Sequence, residues 1–436
     1  MENNQAFIGK LSVINDIEGA ENIKSAVVEL NGVPITTVVV GKDTIPGTLV
    51  VYFDSNLCIE QDIIDELDKL NPNFKDPDFK SIGTYLGKNN RVRVVRLRGQ
   101  ISNGLVIELD KFIKLFPQID FVEGFAFTEL NNIPVCHKYT PPVKSVNNSG
   151  KNQKHKKDES KIVPGHFPEH IDTDQLIRNI NRVNPDDVIW VSRKMHGTSS
   201  RTGNVLVTRK LTILEKIAKV FGARINDTEY HYVYGSRRVT KKIVGIENKS
   251  EKAHFYSTDL WSEIGNSFFF GKLNKGEVVY YEIVGYTPDG APIQKIGKNV
   301  YNYGAKEKEA KIFVYRFQTI DEDGNAIEYS TRQVKERCNQ LGVECVQEFY
   351  YGRAKDMYPD LDVDENWHVN FLANLKRDFL EKNCLDCVNV NTADEGIVLR
   401  REIGGIDSFK LKSEKFLLGE SEAAVKDLIT DMEEEQ

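Results

Sequence analysis

A chain of 436 residues, 40% hydrophobic and 28% charged, is long enough for two or three domains with substantial cores and has the composition of an ordinary soluble protein. Its formal net charge of −7 excludes a nonspecific nucleic-acid coat as the role of the whole surface, although a local basic groove can still bind such a partner. No apolar run approaches the roughly 20 residues that cross a bilayer. The start "MENNQAFIGKLSV" also lacks the basic and apolar regions of a signal peptide, so a cytoplasmic location is expected, with no membrane partner and no obligate protein partner.

Residues 1–144 read as a β-rich domain. Short apolar runs, "SAVVEL", "ITTVVV" and "TLVVYF", alternate with turns at "LNGVP" and "TIPG", the density of strands found in a small barrel or sandwich. In "RVRVVRLRG" Arg91 and Arg93 alternate on one strand face, while Arg96 and Arg98 occupy the other. A bulge at Val94–Val95 would bring all four arginines to one side, where they would meet phosphates; the alternative is a charged edge that discourages pairing with other strands. Residues 145–161, "SVNNSGKNQKHKKDESK", have almost no apolar content and read as a flexible linker.

The second body begins near Ile162. Asp172 is predicted to cap a helix through "TDQLIRNINRV", with Gln175 completing a capping box and Leu176, Ile177, Ile180 and Val183 forming an apolar stripe. Strand patterns follow at "VIWVSRK", "VVYYEIVGY", "KIFVYRF", "EGIVLRR" and "SFKLKS", the later ones separated by helical stretches, which implies an α+β domain built on antiparallel sheet. Residues 421–436 read as an acidic helix and tail. Cys384 and Cys387 in "CLDC" have the spacing of half a zinc site; no second half accompanies them, and reduced, partly buried thiols are expected.

Lys-x-x-Gly occurs four times in the chain, so "KMHG" at 194–197 is informative only through its company. Lys410 and Lys412 are two apart on a strand and point to one face, suited to phosphate charge, with Phe409 and Leu411 facing the core. Glu282 and Glu395 lie among apolar strand residues, where a carboxylate needs a compensating partner such as a divalent cation. Phe313 and Tyr315 share a strand face and offer an aromatic platform for a purine. Taken singly, each of these is more often a solvated, salt-bridged or core residue.

Their order resembles the covalent nucleotidyltransferase superfamily of ATP-dependent ligases and messenger-RNA capping guanylyltransferases. "KMHG" is similar to the first motif, "SRR" with Arg237 to the ribose-contacting motif, and "YYEIVGY" to motif III. "FVYRF" is similar to the motif with the purine-stacking aromatic, "EGIVLR" to motif IV and "KLK" to motif V. Only 436 − 412 = 24 residues follow Lys412, too few for a C-terminal barrel. The β-rich candidate lies first, as in RNA ligases with an N-terminal OB-like domain.

That resemblance implies an OB-like β-barrel over 1–144 and a nucleotidyltransferase domain over 162–420. It implies an ATP-dependent RNA ligase that seals 5′-phosphate and 3′-hydroxyl ends, or a nick in a duplex, with Mg2+ or Mn2+. Lys194 would be the nucleophile that becomes lysyl-AMP, and Arg237, Glu282, Phe313, Tyr315, Glu395, Lys410 and Lys412 would bind the nucleotide. Glu282 and Glu395 would approach the metal through water, with His196, which stands where many members have an acid, as a third candidate. Arg91, Arg93, Arg96, Arg98 and Arg201 would contact RNA phosphates. A DNA ligase, an RNA guanylyltransferase, or a noncatalytic RNA-binding protein with a vestigial pocket are the alternatives.

Overall fold

The computed structural model describes residues 4–77, 79–140, 161–246, 256, 258–403 and 405–425. Apart from Lys161, the expected linker lies outside the described residues, as does the acidic end beyond Val425. No helix among the described residues is long and apolar enough to cross a membrane.

The N-terminal body is organised around one long strand, Ala6–Asp16. Its first residues pair with Ala126–Phe127, its middle with Leu49–Phe53 and its end with Ile23–Leu30. Val33–Gly41 and Leu105–Glu108 complete a six-stranded antiparallel sheet at the two ends of this path. Both faces of this sheet are buried. Ala6, Ile8, Val51 and Phe53 point into a core closed by the helices Gln61–Lys69 and Leu109–Leu115. Phe7, Leu11, Val50 and Tyr52, the alternate positions, point into a second core. Side chains two apart share a face, so continuous apolar runs such as "LVVYF" are what a sheet covered on both sides requires.

The second core does not belong to the N-terminal body alone. Leu176, Ile180, Val191, Phe371, Leu399 and Phe409 of the later chain pack into it with Phe7, Val28, Val38 and Tyr52. The two bodies expected from the sequence therefore share apolar interior. A buried ion pair between Arg178 and Asp54 crosses the same junction; Arg178 also donates to the Gln5 carbonyl (3.0 Å) and lies 5.0 Å from the Phe7 ring.

Among the described residues, the later body contains two large sheets and the small two-stranded pairing of Lys295–Ile296 with Asn299–Val300. One has the order Asp174–Gln175, Ile406–Lys412, Gly396–Glu402, Val188–Arg193, Glu348–Arg353. The other runs Thr240–Ile243, Thr228–Ser236, Thr198–Thr208, Glu277–Gly285, Ala310–Ile320, Ala326–Glu328. All pairings are antiparallel except that of Asp174–Gln175 with Phe409–Lys410. An α+β body on antiparallel sheets is thus observed. Lys194–Gly197 is the short crossing from the Val188–Arg193 strand of the first sheet to the Thr198–Thr208 strand of the second.

Three local expectations differ from the structure. Asp172 does not cap a helix: it is ion-paired with Arg237, and a helix at Leu176–Asn179 with a 3-10 turn at Ile180–Arg182 follows the short strand. The apolar stripe survives, since Leu176, Ile180 and Val183 are buried. The arginine-rich segment holds no bulge. Val94–Leu97 pairs with Gln100–Asn103 in unbroken register, and Arg98 and Gly99 form the turn with φ of 47° and 82°. Finally, Cys384 and Cys387 form a disulfide rather than a pair of thiols, and the described residues contain no cluster of three metal-ligating side chains.

Candidate active site

Strand register brings the site together. Gly396 pairs with Lys412, Val398 with Lys410 and Ser192 with Val398, while the Lys194 amide donates to the Gly396 carbonyl at 2.9 Å. Glu395, the residue before this strand, is thereby held between Lys194 and Lys412. Lys194 Nζ lies 2.9 Å and Lys412 Nζ 3.0 Å from the same oxygen, Glu395 Oε1. Gly396 has φ 133°, and a Cβ there would meet the Leu411 carbonyl oxygen at 2.1 Å, so the close approach of the two strands requires glycine.

Gly197 answers to a similar constraint. A Cβ at this position would lie 2.3 Å from the Ile283 carbonyl oxygen and 2.8 Å from Glu282 Cγ. Its amide donates to Glu282 Oε1 (3.1 Å), and the Ser199 hydroxyl donates to Oε2 (3.0 Å). The Lys-x-x-Gly pattern has a physical meaning here: the glycine lets the crossing settle onto the strand that carries Glu282.

Glu395 is buried, which opposes its charge, yet the Lys194 and Lys412 ammonium groups hold its carboxyl well below the usual range. Among the described residues its Oε2 has no hydrogen-bond partner; His196 Nδ1 is 3.6 Å away, beyond hydrogen-bond reach. His196 itself is fixed edge-on against Tyr301 and Phe416, at 4.6 and 5.0 Å between ring centres, and its backbone amide donates to the Tyr303 hydroxyl oxygen at 2.8 Å. The buried carboxylates of Glu282 and Glu395 are hard oxygen donors, of the kind that fit Mg2+ or Mn2+ chemically.

A cleft of about 560 Å³ opens over this cluster, lined by both bodies. Lys194, Arg237, Glu282, Tyr315, Lys410 and Lys412 border it from the later chain, and Asp54, Arg91 and Lys138 from the N-terminal body. Phe409 and Leu411 face the core, as the alternation implies. Phe313 and Tyr315 do not have the same surroundings. The ladder shifts so that Tyr280 faces Arg316 and Tyr281 faces Val314, leaving Tyr315 as the extra residue of a bulge. Tyr315 borders the cleft, whereas Phe313 packs edge-on against Tyr303 with 6.4 Å between ring centres. Burial, with Glu282 adding to it, pushes the Tyr315 phenol well above its usual range.

The candidate phosphate contacts divide. Arg201 is 2% exposed, lies over the Phe167 ring and donates to the Arg237 and Arg238 carbonyls, so it braces that turn and cannot present its charge to RNA. Arg91 precedes the hairpin, donates to the Ser55 carbonyl and sits 4.0 Å above the Tyr139 ring at the cleft. Arg93 donates to the Tyr85 carbonyl and Arg96 to the Gly99 carbonyl. The four arginines thus do not form one strand face.

Sequence reasoning missed the supports of the crossing that carries Lys194. Arg193, just before Lys194, donates to Asp394 (2.9 Å) and Asp386 (2.7 Å) and lies 5.1 Å from the Tyr303 ring. Burial raises the Asp394 pKa although Arg193 opposes the shift. Gln294 donates to the Gly197 carbonyl at 3.1 Å. The adjacency of Arg193 to Lys194 and of Asp394 to Glu395 was the available signal; Gln294 lies in irregular chain and offered none.

Among solved structures, the chain is similar to a lysine-to-methionine mutant of the Naegleria gruberi RNA ligase with AMP and Mn. The two are 19% identical, with a TM-score of 0.55 over 94% of this chain and 97% of that one. A lysine-to-alanine mutant of that ligase with ATP and Mn matches at 20% identity and a TM-score of 0.55, over 94% and 98% of the two chains. The same ligase with PPi matches at 19% identity and a TM-score of 0.51, over 94% and 97%. The chain has the fold of an RNA ligase. No protein-family profile and no curated protein matches the sequence.

Proposed function

We propose that the protein is an ATP-dependent RNA ligase that joins 5′-phosphate and 3′-hydroxyl ends through lysyl-AMP and adenylylated RNA, with an OB-like N-terminal domain. The observation that carries the reading is the Lys194–Glu395–Lys412 cluster at the floor of a cleft bordered by Glu282, Arg237 and Tyr315. The full-length likeness in fold to a ligase solved with ATP, AMP and Mn supports it.

In the first step the neutral Lys194 amine attacks the α-phosphorus of ATP; an N–P bond forms, the bond to the bridging oxygen breaks, pyrophosphate leaves and the amine loses its proton. Lys410 and Lys412 offset charge on the phosphates, Arg237 contacts the ribose, and Tyr315 lies against the purine with Phe313 two residues away on the same strand. A 5′-phosphate oxygen of RNA then attacks the same phosphorus and releases Lys194. The RNA 3′-hydroxyl finally attacks the activated 5′-phosphorus, a phosphodiester forms and AMP departs. Glu282 and Glu395, with His196 beside them, would hold a divalent cation through water, which supplies charge neutralisation at phosphorus. Arg91, at the cleft, and Arg93, Arg96 and Arg98, on or beside the adjoining hairpin, position RNA through its phosphates.

Incubating the protein with 5′-phosphorylated RNA, ATP and Mn2+ tests the assignment. Ligated RNA and AMP should appear with ATP. Joining of DNA in preference to RNA, or transfer of GMP rather than AMP, would move the chain to another branch of nucleotidyl transfer.

A further inference from the structure

Two ion pairs lie side by side where the Val188–Arg193 strand runs into the crossing. Lys194 meets Glu395, and the residue before it, Arg193, meets the residue before Glu395, Asp394. The two pairs differ in kind. Arg193 Nε donates to both oxygens of Asp394, at 2.9 and 3.2 Å, and its Nη1 donates to Asp386 at 2.7 Å. Its side chain is 7% exposed and lies against the Tyr303 ring. Asp394 also accepts from the Glu395 amide at 3.1 Å. One carboxylate thus ties the side chain next to Lys194 to the backbone of Glu395. Lys194 instead reaches Glu395 through a flexible stem and a rotatable ammonium at the edge of the cleft.

The reaction proposed above asks different things of the two pairs. Attack on phosphorus requires a neutral Lys194 amine, so its contact with Glu395 has to loosen. The nitrogen must still arrive within about 3–3.5 Å of phosphorus, and a misplacement of about 1 Å costs on the order of 100-fold in rate. Another contact must therefore hold the two segments together while Lys194 lets go. The Arg193–Asp394 pair is suited to stay closed. Asp394 lies outside the lining of the cleft, and separating a buried ion pair leaves both charges uncompensated.

Resting on the ligase reading, we propose that Asp394 is a positioning residue for lysyl-AMP formation. Through Arg193 and the Glu395 amide it fixes the start of the Lys194–Gly197 crossing against the Gly396–Glu402 strand while the Lys194 amine moves to phosphorus. The far end of the crossing is held separately, by the Tyr303 hydroxyl on the His196 amide and by Gln294 on the Gly197 carbonyl. Loss of Asp394 therefore frees the lysine end alone. Its effect is confined to steps in which the Lys194 nitrogen bonds to phosphorus. The closing step, attack of an RNA 3′-hydroxyl on the activated 5′-phosphorus, does not use that amine.

Two reactions of the full chain separate the roles: lysyl-AMP formation across an ATP titration with Mn2+, and sealing of chemically pre-adenylylated RNA. Asp394→Asn keeps an oxygen for the Glu395 amide and removes the charge that holds Arg193. It should lower the maximal rate of lysyl-AMP formation about 10- to 100-fold and change the half-saturating ATP concentration by less than about two-fold. Sealing of pre-adenylylated RNA should stay within about two-fold of wild type. Arg193→Lys should recover most of the rate lost in Arg193→Met. The double variant Arg193→Met, Asp394→Asn should be no slower than Arg193→Met, because the pair acts as a unit. That double variant leaves neither charge buried alone and serves where a single substitution fails to fold, which urea midpoints report. Equal losses in both reactions, a raised half-saturating ATP concentration at unchanged maximal rate, or wild-type lysyl-AMP formation in folded variants would each overturn the proposal. A wild-type chain that forms no lysyl-AMP would instead overturn the ligase reading beneath it.

Discussion

Lys194 Nζ and Glu395 Oε1 are 2.9 Å apart, and Lys412 approaches the same oxygen at 3.0 Å. One buried carboxylate is therefore shared by two ammonium groups. On the proposed function, attack on phosphorus requires a neutral Lys194 amine, so the contact between Lys194 and Glu395 would have to loosen as ATP binds.

Glu395→Gln should lower lysyl-AMP formation by at least about 100-fold, through the loss of charge where the phosphates are handled. The substitution should also alter acid stability. The carboxyl is depressed in the fold, so its stabilisation is complete above the unfolded value of about 4.3 and is lost as pH falls through the lower folded value. The difference in urea midpoint between wild type and variant should therefore shrink below about pH 4. A difference that grows on acidification contradicts the assignment.

Gly197→Ala should destabilise the fold by about 1–3 kcal/mol and suppress adenylylation, since the added Cβ meets backbone at 2.3 Å. Urea denaturation and labelling with ATP measure the two effects. A variant with wild-type stability and activity would mean that the crossing can shift away from the Glu282 strand.

Tyr315→Ala should raise the KM for ATP in the first step more than Phe313→Ala does, because the bulge brings Tyr315 to the cleft. Initial rates of self-adenylylation across an ATP titration decide between them, and the reverse ranking would assign the purine platform to Phe313.

Much of this site was legible in the sequence because its parts obey local rules. Alternation placed Lys410 and Lys412 on one face with Phe409 and Leu411 in the core, and motif order linked Lys194 to Glu282 and Glu395. What escaped depends on contacts between distant segments. Nothing periodic announces that Arg193 will meet Asp386 and Asp394, that Tyr315 will be the extra residue of a bulge, or that Asp172 will pair with Arg237 rather than cap a helix. The apparent independence of the two bodies also came from reading strands separately. Phe7 and Phe409 lie some 400 positions apart in sequence and share one core.

That shared core should make the bodies unfold together. Arg178→Met leaves Asp54 buried without its partner and should cost about 3–5 kcal/mol. Urea unfolding, followed by tryptophan fluorescence and by far-UV circular dichroism, should show one coincident transition in the wild type and a lower midpoint in the variant. Two separate transitions in the wild type would show that the bodies are independent.

Covalent capture of the nucleotide is the most direct test of the account. The protein is incubated with α-labelled ATP and Mn2+, resolved on a denaturing gel and mapped by peptide mass. One acid-labile AMP adduct on Lys194, absent from Lys194→Ala, is the expected result. An adduct on another lysine, or labelling that persists in Lys194→Ala, would contradict it.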